Sequence, residues 1–167
     1  ESMRMDLSAK HHDQASFERY VYGSAEVVGL MCLRAFFAGE TLEPDAAARL
    51  DRGARALGSA FQKVNFLRDL AADFETLGRS YFPGINVDSF TEADKLRLLD
   101  DIDADLAVSA AVVPELPPSS RRAVALAQSL FAELSARLRK TPAEHLVRAR
   151  VRVPNPVKAR LALALVA

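Results

Sequence analysis

Apolar residues recur along most of this chain at intervals of three and four, the period of a helix buried along one side. Residues 17–37 (FERYVYGSAEVVGLMCLRAFF) carry them at 17, 20, 21, 25, 28 and 31. Ser16 is placed to cap that helix, with Glu18 in its first turn. Gly39 ends it, and Pro44, suited to a first helical turn, opens a second pattern that runs unbroken to residue 77. An uninterrupted helix there would be roughly 50 Å long at 1.5 Å per residue. Its buried stripe is Phe61, Val64, Leu67, Leu70 and Phe74, and Gly78 stops it. Thr91 with Asp94 three residues on resembles a capping box for a third long helix. Pro114, Pro117 and Pro118 make a stiff turn, after which Ser119 caps a fourth helix reaching about residue 139. A short helix closes the chain, and residues 1–7 read as the end of a helix. The pattern predicts an all-α antiparallel bundle, with residues 1–167 forming one helical domain.

Composition narrows the functions open to such a bundle. Half of the residues are apolar, 22 basic side chains balance 22 acidic ones, and there are seven glycines. Zero net charge gives no general attraction to nucleic acid or to an anionic membrane. A single cysteine, Cys32, excludes an internal disulfide and fits a reducing compartment. A cytoplasmic chain is expected, with peripheral membrane contact at most, since no apolar run is long enough to span a bilayer.

Candidate chemistry concentrates in residues 58–84, GSAFQKVNFLRDLAADFETLGRSYFPG. Asn65, Asp69 and Asp73 recur every four residues and stack along one face of a helix. Two carboxylates and a carboxamide are hard oxygen ligands of the kind Mg²⁺ takes when it also holds phosphates. Arg68 and Arg79 stand beside them as guanidinium forks for the same phosphates. A solvated helix face is the plainer alternative. Against it, Gln62 and Asn65 fall at the edge of the buried stripe, and asparagine is a poor helix-interior residue.

Three other features invite a function. Gly23 and Gly29 lie inside the first helix at about 1 kcal/mol each relative to alanine, which implies close approach by a backbone or a ligand. His11, His12 and Asp13 suggest a metal, but adjacent side chains diverge, so a surface loop is expected. The run Asp100, Asp101, Asp103 and Asp105 has no interleaved Arg or Asn, and its acids fall on several faces. It reads as a solvated face.

QKVNFLRDLAADFETLGRSYFP resembles the second aspartate-rich motif of the phytoene and squalene synthase family. That pattern is met by Gln62, Asn65, Arg68, Asp69, Asp73, Arg79, Tyr81 and Pro83, with Ala72 where many members carry Glu. YVYGSAEVVGL is similar to the family helix that lines the prenyl pocket. Tyr20, Tyr22, Ala25, Val28 and Gly29 match there, and Glu26 replaces a usual Gly. Phe131 falls where members place a tyrosine that contacts diphosphate. The resemblance covers the later half of a family member and implies an isoprenoid-synthase bundle without its N-terminal helices.

It further implies a prenyltransferase using Mg²⁺, or Mn²⁺, to join two prenyl diphosphates head to head through a cyclopropyl diphosphate. The wording of the motif looks most like bacterial phytoene synthases of carotenoid biosynthesis, hence geranylgeranyl diphosphate as substrate, with farnesyl diphosphate and a squalene-type product the alternative. NADPH would serve only the latter. Asp69, Asp73 and Asn65 would ligate metal. Arg68, Arg79, Gln62 and Tyr20 would hold diphosphate, and Tyr22, Ala25, Val28 and Gly29 would form the prenyl pocket. The first aspartate-rich motif has no counterpart here. The chain alone would then be incomplete, or a non-catalytic helical module that meets an N-terminal half or self-associates through apolar faces.

Overall fold

The computed structural model describes residues 12–72 and 81–165. Among them are seven α-helices and no strand: α1 (Gln14–Val21), α2 (Val27–Phe36), α3 (Pro44–Arg68), α4 (Glu92–Val112), α5 (Pro118–Lys140), α6 (Ala143–Leu146) and α7 (Asn155–Ala164). The helix ends follow local chemistry. Asp13, rather than Ser16, caps α1, accepting from the Ser16 amide at 2.7 Å. Gly39 reverses the chain at φ 85°, and Pro44 starts α3. Thr91 and Asp94 close a reciprocal capping box on α4. Pro117, rather than Ser119, caps α5, because Pro118 already supplies a helical φ at the first position.

The first helical pattern is not one helix. Tyr22–Glu26 forms a π-helical turn between α1 and α2. The inserted turn re-phases the buried face, so that Tyr20, Val21 and Ala25 all point inward while Tyr22 is 45 % exposed. Glu26, which a tail pocket would not tolerate, is drawn aside to an ion pair with Arg55 of α3 at 2.6 Å.

α3 is the central element, packing against α1, the π turn, α2, α4 and α5. The main core surrounds its second half. Val64, Leu67, Leu99, Ile102, Leu138 and Leu146 are fully buried there, each contributing about 1.5–3 kcal/mol of transfer free energy. A smaller cluster of Leu33, Leu50 and Leu116 closes the opposite end. Between the two, α2 and the π turn cross α3 at backbone distance. A Cβ on Gly29 would stand 2.3 Å from the Ala54 carbonyl oxygen, and one on Gly58 2.5 Å from that of Ala25.

The acidic run on α4 is not a merely solvated face. Its acids divide between the two neighbouring helices. Lys63 of α3 donates to Asp101 at 2.6 Å and Asp105 at 2.9 Å. Arg139 of α5 donates to Asp100 at 2.8 Å and Asp103 at 2.7 Å. Burial alone would lower the Lys63 pKa, but its hydrogen bonds to Asp101 and Asp105 outweigh burial and raise it. Lys95, fully buried in the same acidic helix, donates to the carbonyls of Arg139 and Thr141. It thereby satisfies orphan acceptors at the end of α5. No described helix is long and apolar enough to cross a membrane.

Two stability outcomes follow. Gly29→Ala should lose about 1–3 kcal/mol by overpacking, read as a lowered denaturant midpoint, because the opposing atoms are backbone. Hydrogen bonds hold three acids below their ordinary values: to Asp94 from Thr91, to Asp13 from Ser16, and to Glu92 from Lys95 and the Ala143 amide. Their contribution is complete above the unfolded values of 3.8 and 4.5 and is lost as pH falls through the lowered ones. Lys63 acts oppositely, contributing fully below 10.5 and losing that as pH rises through its raised value. The midpoint should therefore be nearly flat between the two limits and fall beyond each.

Candidate functional site

The continuous helix expected to residue 77 is interrupted at Asp69. There φ −99° and ψ 9° leave helical geometry, and Leu70 to Ala72 resume it. The reason is electrostatic. Arg68 donates to both oxygens of its neighbour Asp69, at 3.1 and 2.6 Å. Adjacent side chains on a regular helix diverge, so this fork requires the backbone to open. Arg150, from the segment between α6 and α7, grips the same carboxylate, with its Nε 2.7 Å from Asp69 Oδ1. One carboxylate thus lies between two guanidiniums, leaving the trio with a formal charge of +1.

Arg68 and Arg150 are part of a larger basic cleft of about 610 Å³, completed by Arg152 just before α7 and by Asn155 and Lys158 in its first turns. Its apolar side is formed by Phe131 and Leu134 of α5. Gln62 and Asn65 are half-buried on α3, respectively two turns and one turn before Asp69. Asp73 and Arg79 lie outside the described residues. Tyr20 is buried in an aromatic cluster, 5.9 Å from the Phe66 ring and 5.5 Å from Tyr81. His12, expected in a surface loop, is buried 5.3 Å from the Tyr20 ring. His11 lies outside the described residues.

Farther up α3 lies an apolar cavity of about 360 Å³, within the usual range for small-molecule sites of roughly 300–1,000 Å³. Ala25, Val28 and Gly29 line it from one side, Leu57, Gly58 and Phe61 from α3, and Val124 and Ala127 from α5. Gly29 therefore serves both readings of an interior glycine, helix crossing and cavity wall. Tyr22 stands outside that wall, its ring 5.4 Å from the Arg55 guanidinium.

Among the described residues, no three His, Cys, Asp or Glu side chains cluster as a metal cage. Asn65 and Asp69 supply hard oxygen donors at the edge of a basic cleft. Such a set fits Mg²⁺, which keeps several waters and needs only one or two carboxylates beside substrate phosphates.

A family model described as squalene/phytoene synthase matches residues 1–156. The chain belongs to the squalene/phytoene synthase family. A bifunctional lycopene cyclase/phytoene synthase from Blakeslea trispora is 44 % identical over 71 residues, 42 % of this chain and 11 % of that protein. A dehydrosqualene synthase crystal structure superposes with a TM-score of 0.79 at 23 % identity, over 98 % of this chain and 60 % of the other. Squalene synthase HpnC from Alicyclobacillus acidocaldarius gives 0.69 at 21 % identity, over 83 % and 56 %. The fold is thus that of an isoprenoid-synthase helical bundle, and this squalene/phytoene synthase family chain spans about 60 % or less of the relatives it matches.

Arg150 is the site contact that lies outside the 58–84 stretch. It is 81 residues from Asp69, and only alternation with Val151 and Val153 marks its strand-like segment.

The pairs around Asp69 involve partly exposed side chains, with Arg150 47 % exposed. Asp69→Asn should consequently cost about 1 kcal/mol of folding stability. Urea denaturation checks this, and a loss several times larger would make Asp69 a structural residue first.

Proposed function

We propose that the chain provides the diphosphate-binding half of a head-to-head prenyltransferase, with geranylgeranyl diphosphate as substrate and phytoene as product. The observation that carries the proposal is one of arrangement: an apolar cavity and a basic cleft succeed one another along the same two helices, α3 and α5. A ligand with a hydrocarbon tail and a polyanionic head matches that order of surfaces. The 71-residue match to a protein named for phytoene synthase supports the C20 substrate over farnesyl diphosphate.

In this reading Arg68 and Arg150 exchange Asp69 for the incoming diphosphate, to which guanidiniums bind bidentately. Arg152 and Lys158 add charge at the cleft, and Arg79 joins them from its position after the motif. Asp69, Asp73 and Asn65 would hold Mg²⁺, which when bound supplies charge neutralisation to the departing diphosphate. Gln62 and Tyr20 would orient the head. The walls at Ala25, Val28 and Gly29 keep water from the hydrocarbon, so that a reactive allylic centre is not quenched.

The test is calorimetric titration of a non-hydrolysable geranylgeranyl thiodiphosphate with and without Mg²⁺. Binding that requires Mg²⁺ and falls at least about tenfold in Asp69→Ala/Asp73→Ala is the expected result, in line with about 1.5–3 kcal/mol per lost charged contact. Equal binding by the double variant would overturn the metal assignment.

A second reading is favoured by the exposure of Val28 (52 %) and Met31 (65 %) on α2, with Val28 itself on the cavity wall. In it the chain is a helical module whose apolar face meets the remainder of such a bundle or a second copy. It predicts no prenyl binding by this chain alone.

A further inference from the structure

The π turn and α2 cross α3 where neither partner offers a side chain to interlock. Gly29 lies against the Ala54 backbone, and Gly58 against that of Ala25. Helices usually take their setting from ridges of side chains packed into grooves, and at this crossing glycine removes the ridges. A polar contact borders the crossing instead. Glu26 of the π turn pairs with Arg55 Nε at 2.6 Å, and Arg55 sits on α3 beside Ala54 and about one turn before Gly58. Tyr22, at the start of the turn, presents its ring 5.4 Å from the same guanidinium, within the roughly 6 Å of a cation–π contact. The turn is also braced from within. The Ser24 hydroxyl donates to the Tyr20 carbonyl at 2.7 Å, and the Val27 amide donates to the Tyr22 carbonyl. On either side of Glu26 in the sequence, Ala25, Val28 and Gly29 line the apolar cavity.

We propose that Arg55 is a positioning residue for the apolar cavity. By gripping Glu26 it fixes the rotation of the π turn and α2 about the glycine crossing, and so the width of the space that Ala25, Val28 and Gly29 enclose. The unequal exposure of the pair supplies the mechanism. The Glu26 side chain is 16 % exposed and that of Arg55 53 %. A carboxylate so far withdrawn from water is stable only beside its cation, and without Arg55 it must turn outward to be hydrated. The turn that carries it then rotates, and the cavity wall moves with it. The pair acts on the cavity whatever apolar ligand fills it, so this role is independent of the function proposed above.

Two measurements on the full chain test this in Arg55→Met, Glu26→Gln and Arg55→Lys. One is amide hydrogen exchange, and the other is fluorescence titration with the neutral apolar probe N-phenyl-1-naphthylamine. Arg55→Met and Glu26→Gln should each speed exchange of amides 22–29 by about three- to tenfold, the scale of a partly exposed ion pair with a cation–π contact. Amides 98–106, in the buried part of α4, should change by less than about twofold. Probe affinity should fall by about threefold or more, because a wall displaced by roughly 0.5–1 Å forfeits a quarter to a half of each contact. Arg55→Lys should stay near wild type in both measurements, since the bond is made through Nε and a lysine ammonium reaches past that atom. Unchanged exchange and affinity in both neutralising variants overturn the proposal, as does absence of probe binding by the wild-type chain. Equal acceleration at 98–106 also overturns it, by making the pair a contribution to stability alone. Faster local exchange with probe affinity intact, or an Arg55→Lys variant as impaired as Arg55→Met, would sink it too. Circular dichroism identifies any variant that fails to fold, and Arg55→Met and Glu26→Gln each suffice for the test.

Discussion

How closely a second backbone can approach α3 governs the rest of this structure. Gly29 against Ala54 and Gly58 against Ala25 bring two helical segments into contact without intervening side chains. Contact that tight on one flank fixes the separation of α2, α4 and α5 around the upper half of α3. Small residues at 53, 54, 58 and 127 line the space that remains between them. The cavity is thus a consequence of the crossing. The helices hold their spacing because the Leu33–Leu50–Leu116 cluster at one end and the main core at the other are both densely packed.

A neutral chain can still be strongly polarised, and this one is. Its acids on α4 are absorbed by Lys63 and Ser59 on one side and by Arg139 and Ser135 on the other. These contacts act as clips between helices, and being partly exposed they set register more than they add stability. With that acidity neutralised locally, the basic residues at 68, 150, 152 and 158 dominate their own cleft, and Asp69 is the acid that Arg68 and Arg150 share. The break in α3 at Asp69 belongs to the same economy of charge. Its carboxylate sits at a helix end, held by cations that a polyanion would compete for.

Much of the architecture was legible without coordinates. The 3.6-residue period, Pro44, Gly39 and the Thr91–Asp94 box determined that this is a helical bundle and roughly where its helices lie, because those signals act within a few residues of themselves. The spacing of Asn65, Arg68 and Asp69 likewise marked a charged face on this helix, though not that the helix breaks at Asp69. Three things were decided only by tertiary structure. The π turn at Tyr22–Glu26 depends on what α3 offers the incoming side chains, and a helical period alone cannot show an inserted residue. The division of the acids on α4 depends on Lys63, Arg139 and Ser135, 32 to 42 residues away for the contacts to Asp101, Asp103 and Asp105. The third is the meeting of Arg150 with Asp69 and of Phe61 with Phe131, whose rings stack. Each joins residues at least 70 positions apart, and no local preference encodes such a distance. Local propensity chose the helices; packing of small residues and pairing of distant charges chose where the cavities lie between them.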